Sequence, residues 1–334
     1  MHIVALVESA GHVCCRYRIE AFRSHLEAGG HALSVSELNG GLFARLAVMR
    51  AARTADVVVV QRKLLSLFEV QILRRAARRL VFDFDDALWL RDSYSAKGFD
   101  SSKRRSRFRA IVRRCDAVVA GNRFLAEEAA KDNSNVVVIP TCVEPDNYPW
   151  ANHQQSDGAV TLVWVGSSST LQGLERNREM LNAIGKAVPG ARLKVICDRF
   201  PKFEHLPVVG VPWSEATEAA EIASCDIGIG WVPDDPWSRG KCGLKLLQYQ
   251  AAGLAVVANP VGVQADLVKA NATGLLASTT EEWVSAVRTL AHDPGLRRRL
   301  GRAGREQVER EYSVAAGGRK WLELLHPFSA DGKG

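Results

Sequence analysis

Short β-branched runs alternate with amphipathic stretches along almost the whole chain, and this rhythm narrows the possible folds more than any other feature. Strands are expected at 2–7, 32–35, 56–61, 80–84, 116–120 and 136–139, and again at 160–165, 192–197, 208–211, 226–231, 254–258 and 274–277. Helix-period patterns separate them, for example at 18–28, 42–52, 123–131, 281–291 and 294–311. The run Val57-Val58-Val59-Val60 is apolar at every position. Both faces of such a strand need covering, as in a parallel sheet flanked by helices. The alternation therefore specifies a doubly wound α/β architecture.

The rhythm breaks at 148–158, a polar and turn-rich segment that reads as a domain boundary. At 334 residues the chain suits two domains of about 150 residues each. We expect Rossmann-like domains at 1–153 and 154–312. A last helix near 314–325, within 313–334, would return to the first domain, and the tail SADGKG would fray. Ligands in open α/β sheets bind beyond the carboxyl ends of the strands. Two such sheets facing across a cleft would place the site between them.

Composition excludes several classes. No apolar run approaches the ~18 residues needed to span a bilayer, and the N-terminus lacks a basic region and cleavage site, so it reads as a strand. Seven cysteines without paired C-x-x-C spacing fit reduced thiols in a cytoplasmic protein and no structural metal. The net charge of +7 is concentrated at 97–114 and in RRAARR at 74–79. A solvated helix face explains such a run; an anionic membrane surface or a phosphorylated acceptor would also suit it. Nucleic acid is not expected, since no aromatic interleaving accompanies the charge.

The richest segment is 226–262, DIGIGWVPDDPWSRGKCGLKLLQYQAAGLAVVANPVG. A strand enters a Pro/Asp/Gly loop that opens a helix near 241–252, and Gly253 closes it as a left-handed cap. Gly240 and Gly243 would let the backbone approach a ligand, and Lys241 and Lys245, four apart, would share a helix face. This describes a diphosphate cradle, although a plain strand–loop–helix connection has the same appearance.

The run P-x6-G-L-x-L-L-x3-A-x-G-x2-V-V-A, from Pro236 to Ala258, resembles the signature of family-four retaining glycosyltransferases, which have the GT-B fold. The resemblance implies transfer of a sugar from a nucleotide-diphosphate donor held by the C-terminal domain, without a bound metal or other cofactor. The acceptor, held by the N-terminal domain, would be a glycan, a lipid-linked oligosaccharide or a small molecule. In that family two glutamates eight positions apart meet the donor sugar and the ribose; here those positions are Gly240 and Gln248. Gln248 can still hydrogen-bond a ribose, and Gly240 offers only its N–H. The departure keeps open a non-catalytic homologue, and a GT-B sugar-nucleotide epimerase or hydrolase is the other alternative.

The remaining donor candidates follow from the same resemblance. Gly166, Ser167, Ser168, Ser169 and Thr170 form a loop whose hydroxyls and N–H groups suit phosphate, or else a plain serine-rich helix cap. Arg239, Lys241 and Lys245 would supply positive charge, with Cys242, Gly243 and Leu244 between them. Asp198 and Trp213 follow two strands and would border the nucleotide. In the first domain Asp83, Asp85 and Asp86 end a strand. A metal-binding D-x-D is one reading, disfavoured by the tandem fold. Acceptor recognition or general-base help is another, with clustered carboxylates raising one another's pKa. Pairing with Arg62, Arg91 or Arg16 is the third. Gly11, His12, Arg16, Arg18, Trp89 and Asn122 complete the acceptor candidates.

Overall fold

The computed structural model describes residues 1–153 and 160–330. The chain forms two compact units. The first comprises Met1–Cys142, Asp235–Cys242 and the chain from Val314 on; the second comprises Val143–Asp234 and Gly243–Ser313. The division thus falls at 142/143 rather than 153/154, and an eight-residue piece of the glycine loop returns to the first unit. Part of the expected boundary, 154–159, and the tail from 331 lie outside the described residues.

The first unit holds six parallel strands: β1 (His2–Val7), β2 (Ala32–Glu37), β3 (Val57–Gln61), β4 (Arg79–Phe84), β5 (Ala117–Ala120) and β6 (Val136–Val138). Their order is β2-β1-β3-β4-β5-β6. The second unit holds β7 (Thr161–Val165), β8 (Arg192–Cys197), β9 (Val208–Pro212), β10 (Ile227–Gly230), β11 (Ala255–Ala258) and β12 (Gly274–Leu276), ordered β12-β11-β10-β7-β8-β9. All twelve expected strands are present. The order reverses between β1 and β3 in one sheet and between β7 and β10 in the other. Crevices at such reversals, beyond the strand carboxyl ends, are where doubly wound sheets bind ligands.

Strand period explains the two-faced core. On β3, Val58 and Val60 join Phe82, Phe84 and Phe108 on one face, while Val57 and Val59 join Ile3, Ala5 and Val81 on the other. Each fully buried side chain of this size contributes roughly 1.5–3 kcal/mol. The last helix, Val314–Ala330, places Trp321 and Leu325 in the second of these faces. Among the described residues no helix is long and apolar enough to cross a membrane.

Two helices depart from expectation. The one expected at 18–28 is split into Val13–Arg18, a 3-10 turn at Glu20–Phe22, and Arg23–Ala28. Ile19 leaves the helical region (φ −124°, ψ −64°), and Arg18 just before it is fully buried against Asp83. The helix at 294–311 is α only over Pro294–Gln307 and widens to a π turn at Val308–Tyr312.

Candidate functional site

In the second unit the reversal between β7 and β10 is lined by the loop after β7. Ser167 caps the Ser168–Arg176 helix, in a reciprocal box with Thr170. Lys245, in the first turn of the Leu244–Ala251 helix, donates to Thr170 Oγ1 at 3.3 Å and lies 4.6 Å above the Trp164 ring. An ammonium is thus held at Thr170, in the loop whose Ser167 and Ser169 hydroxyls lie 2.8 Å apart.

Three backbone N–H groups of this loop, read from the sequence as phosphate donors, already have partners within the protein. Gly166 N–H donates to Ile196 O (3.0 Å), Ser167 N–H to Thr170 Oγ1 (3.3 Å) and Ser168 N–H to Asp198 Oδ1 (2.7 Å). Asp198 therefore already supplies the anion that a helix N-terminus attracts. Hydrogen bonds from the Cys197 thiol and from Ser168 hold its carboxyl down at about 2. What the loop offers a ligand is its hydroxyls and Lys245.

The glycines also act differently. Gly243 takes φ +69° and caps the Leu244–Ala251 helix, with Leu267 and Val263 where a Cβ would stand. Gly240 faces Ala87, whose N would lie 2.8 Å from a Cβ. Both serve protein packing rather than ligand approach. Gly253 has the left-handed conformation expected of it, φ +70°. Gln248 is 2% exposed and donates to Tyr148 Oη at 3.2 Å, so its amide faces the interior of the unit. Trp213 is half exposed and donates from Nε1 to Glu218 at 2.7 Å.

Arg239, Gly240, Lys241 and Cys242 belong to the first unit, whereas Gly243, Leu244 and Lys245 belong to the second. Lys241 precedes the helix, so the two lysines do not share a helix face. Lys241 Nζ pairs with Asp86 Oδ1 at 3.0 Å and lies 5.2 Å from the centre of the Trp237 ring. Burial opposes its charge, but Asp86 outweighs that and holds the ammonium pKa above its ordinary value. Asn122, the cap of the Arg123–Ala130 helix, donates to Gly240 O (3.1 Å) and Lys241 O (3.0 Å). The Cys242 thiol donates to Asp85 O at 3.3 Å. Arg239 is exposed.

The three aspartates at the end of β4 diverge onto cations. Asp83 is fully buried in a two-point pair with Arg18, which also donates to Ile139 O at 2.6 Å. Asp85 and Asp86 meet Arg62 at 3.1 and 2.7 Å. Arg62, at φ +59°, is one of two non-glycine residues in the left-handed region among those described. Burial pushes the Asp83 carboxyl up against the pull of Arg18, yet no solvent reaches it. For Asp85 burial also pushes up, but Arg62 and Arg18 outweigh it and the pKa is lowered. Asp85 is therefore held away from a base near neutrality, and Asp83, which burial and Asp85 both push up, is closed off from a ligand. Of the cations expected to pair with these aspartates, Arg62 does. Arg16 donates to Tyr17 Oη (2.6 Å), and Arg91 to backbone carbonyls of the 97–100 turn.

Among the acceptor candidates, Trp89 is in the core, 5.0 Å from Phe108, and Arg18 is at 0% exposure, so neither can touch a ligand. His12 caps the Val13–Arg18 helix by accepting from Cys14 N–H, and Gly11 stands in open space. Sequence reading treated Arg62 only as a pairing partner, and it missed Trp164. Position at the carboxyl end of β3 was the available signal for Arg62. Nothing local marks Trp164, whose role depends on Lys245 arriving above it.

Residues 176–323 match a family described as glycosyl transferase-like. Over 150 residues the chain is 29% identical to the sulfoquinovosyl transferase SQD2 of Arabidopsis thaliana, covering 41% of this chain and 28% of that protein. The chain therefore spans under a third of the length of this curated relative. Among solved structures, sucrose-phosphate synthase from Thermosynechococcus elongatus superposes with a TM-score of 0.73 at 17% identity, over 99% of this chain and 100% of that one. Anabaena HepE in complex with UDP and glucose gives 0.69 at 14% identity, over 98% and 100%. With two parallel Rossmann-like sheets, a returning C-terminal helix and these likenesses, the chain has the GT-B fold and carries, at 176–323, a match to the glycosyl transferase-like family.

Proposed function

We propose that the protein is a cytoplasmic glycosyltransferase that moves a sugar from a nucleotide-diphosphate donor to a glycan, lipid-linked or small-molecule acceptor with retention of configuration. The observation that carries this reading is Lys245, fixed by Thr170 and Trp164 beside the loop after β7, at the strand reversal of the second unit. A cation in that position suits the diphosphate of a leaving nucleotide. As the bond from the anomeric carbon to the phosphate oxygen breaks, negative charge grows on that oxygen, and Lys245 with the Ser167 and Ser169 hydroxyls would stabilise it. The acceptor oxygen bonds to the anomeric carbon on the same face, and its proton passes to the departing phosphate. No separate base is needed, which agrees with aspartates already committed to cations. No metal is assigned to this step: activity should survive exhaustive chelation, and loss on chelation with recovery on adding a divalent cation would refute that part.

The first experiment is thermal stability against UDP, GDP, ADP, CDP and dTDP. UDP leads the panel because the structurally similar HepE is described in complex with it. A ligand at about a hundred times its Kd adds roughly 2.7 kcal/mol to stability. A shift with one nucleotide names the donor to pair with sugars and acceptors; no shift with any removes the donor site.

A second reading, a non-catalytic nucleotide- or glycan-binding homologue, is favoured by Gly240 and Gln248 at the glutamate positions and by the burial of Gln248. Nucleotide binding without donor turnover across a panel of acceptors would select it.

A further inference from the structure

The basic run at 97–114 is sorted by the structure into two kinds of charge. Arg105 pairs with Asp100, and Arg109 and Arg113 pair with Asp132. Lys103, Arg104 and Arg107 make no ion pair among the described residues. Arg104 and Arg107 bond backbone carbonyls of Leu88 and Leu64 (3.2 and 3.3 Å). These three, with Arg62 and Lys63, line a cleft of about 460 Å³ in the first unit, where Glu8 is the one carboxylate. Lys63 meets Glu8 at 3.1 Å, bridging the ends of β3 and β1 at the strand reversal. Arg62 is engaged by Asp85 and Asp86 and Lys63 by Glu8, so Lys103, Arg104 and Arg107 are the lining cations without an ion pair among the described residues.

Beside it lies exposed apolar surface. Two helices, Leu42–Ala51 and Leu67–Ala76, begin next to each other, tied by Arg45 and Glu69 at 2.9 Å. Their first residues point outward: Phe43 is 88% exposed, Phe68 56%, Leu67 53% and Leu42 43%. Leu67 is three residues from Leu64, whose carbonyl Arg107 binds at the cleft wall. Single exposed apolar side chains are ordinary, but four on two abutting helix starts form a patch. Apolar side chains beside unneutralised cations match the interface of an anionic bilayer, which offers acyl chains and phosphates side by side.

We propose that this face of the first unit docks on an anionic phospholipid membrane, with the cleft receiving phosphate headgroups and Leu42, Phe43, Leu67 and Phe68 entering the interface. This proposal is independent of the transferase reading and is tested without turnover.

The full-length protein is pelleted with vesicles of phosphatidylcholine alone or mixed with phosphatidylglycerol. Binding is expected to the mixed vesicles and to weaken as salt rises. The Lys103→Gln/Arg104→Gln variant should bind roughly thirtyfold more weakly, at about 1 kcal/mol for each charge near the surface. Phe43→Ser/Phe68→Ser should lose about tenfold through apolar burial alone. Both changes are at the surface, and circular dichroism checks the fold. Absence of vesicle binding, or equal binding by wild type and both variants, overturns the proposal. Binding of inorganic phosphate that the Lys103/Arg104 change abolishes, without vesicle binding, also overturns it and makes the cleft a site for a soluble anion.

Discussion

The end of β4 and the end of β7 are furnished in opposite ways. In the first unit, beyond β4, Asp83, Asp85 and Asp86 are matched by Arg18, Arg62 and Lys241, and little of this network is exposed. In the second unit, beyond β7, the side chains are mostly neutral hydroxyls with Lys245 among them, and Asp198 is engaged by Ser168. Charges that neutralise one another leave little for a ligand, whereas the loop after β7 gathers hydroxyls that an anion can use, with an ammonium at Thr170. Abundance of ionisable residues is thus a poor guide to a site.

The strongest way to break this comparison is through the Arg18–Asp83 pair. Arg18→Ala should destabilise by about 3–5 kcal/mol, because it strands a buried carboxylate. Arg18→Met with Asp83→Leu should recover most of that. Chemical denaturation reads both, and a mild effect of Arg18→Ala would mean that the network is not structural.

Next in size, Lys245→Ala should lower transfer about a hundredfold, near 2.7 kcal/mol of transition-state stabilisation, with little change in thermal stability. Lys241→Ala should do the reverse, changing stability more than donor affinity. If Lys241→Ala abolishes nucleotide binding and Lys245→Ala does not, the roles assigned to the two units are exchanged.

A double-mutant cycle on Lys241 and Asp86 gives a smaller effect. The Lys241 side chain is 37% exposed, so solvent screening limits the coupling to about 1 kcal/mol or less.

The smallest effect concerns Asp198. Its folded pKa of about 2 lies below the unfolded value of about 3.9, so it contributes stability above that value and loses it as pH falls through 2. Asp198→Asn should be less stable than wild type at pH 7, with the gap closing as pH falls through 2. A deficit at pH 2 as large as at pH 7 would show that the charge is not the cause.

Much of the fold was legible because its causes are local. The runs HIVALV and VVVVQ state their own burial through period and composition, and all twelve strands lie where those signals placed them. Gly253 was legible for the same reason, since a left-handed cap needs only its own turn. The split at Ile19 was not, because the helix period continues across it while Arg18 bonds to Asp83 on a distant strand.

The site divides along the same line. The loop after β7 and the lysine of the following cradle could be named from residue types. Their use could not: Ser168 N–H going to Asp198, Gln248 turning toward Tyr148, and Lys241 going to Asp86 depend on chain segments far apart in sequence. Periodicity is written into neighbouring residues and survives any arrangement of the rest. Charge pairing falls off over a few ångströms, so it takes its meaning from which groups folding brings within reach.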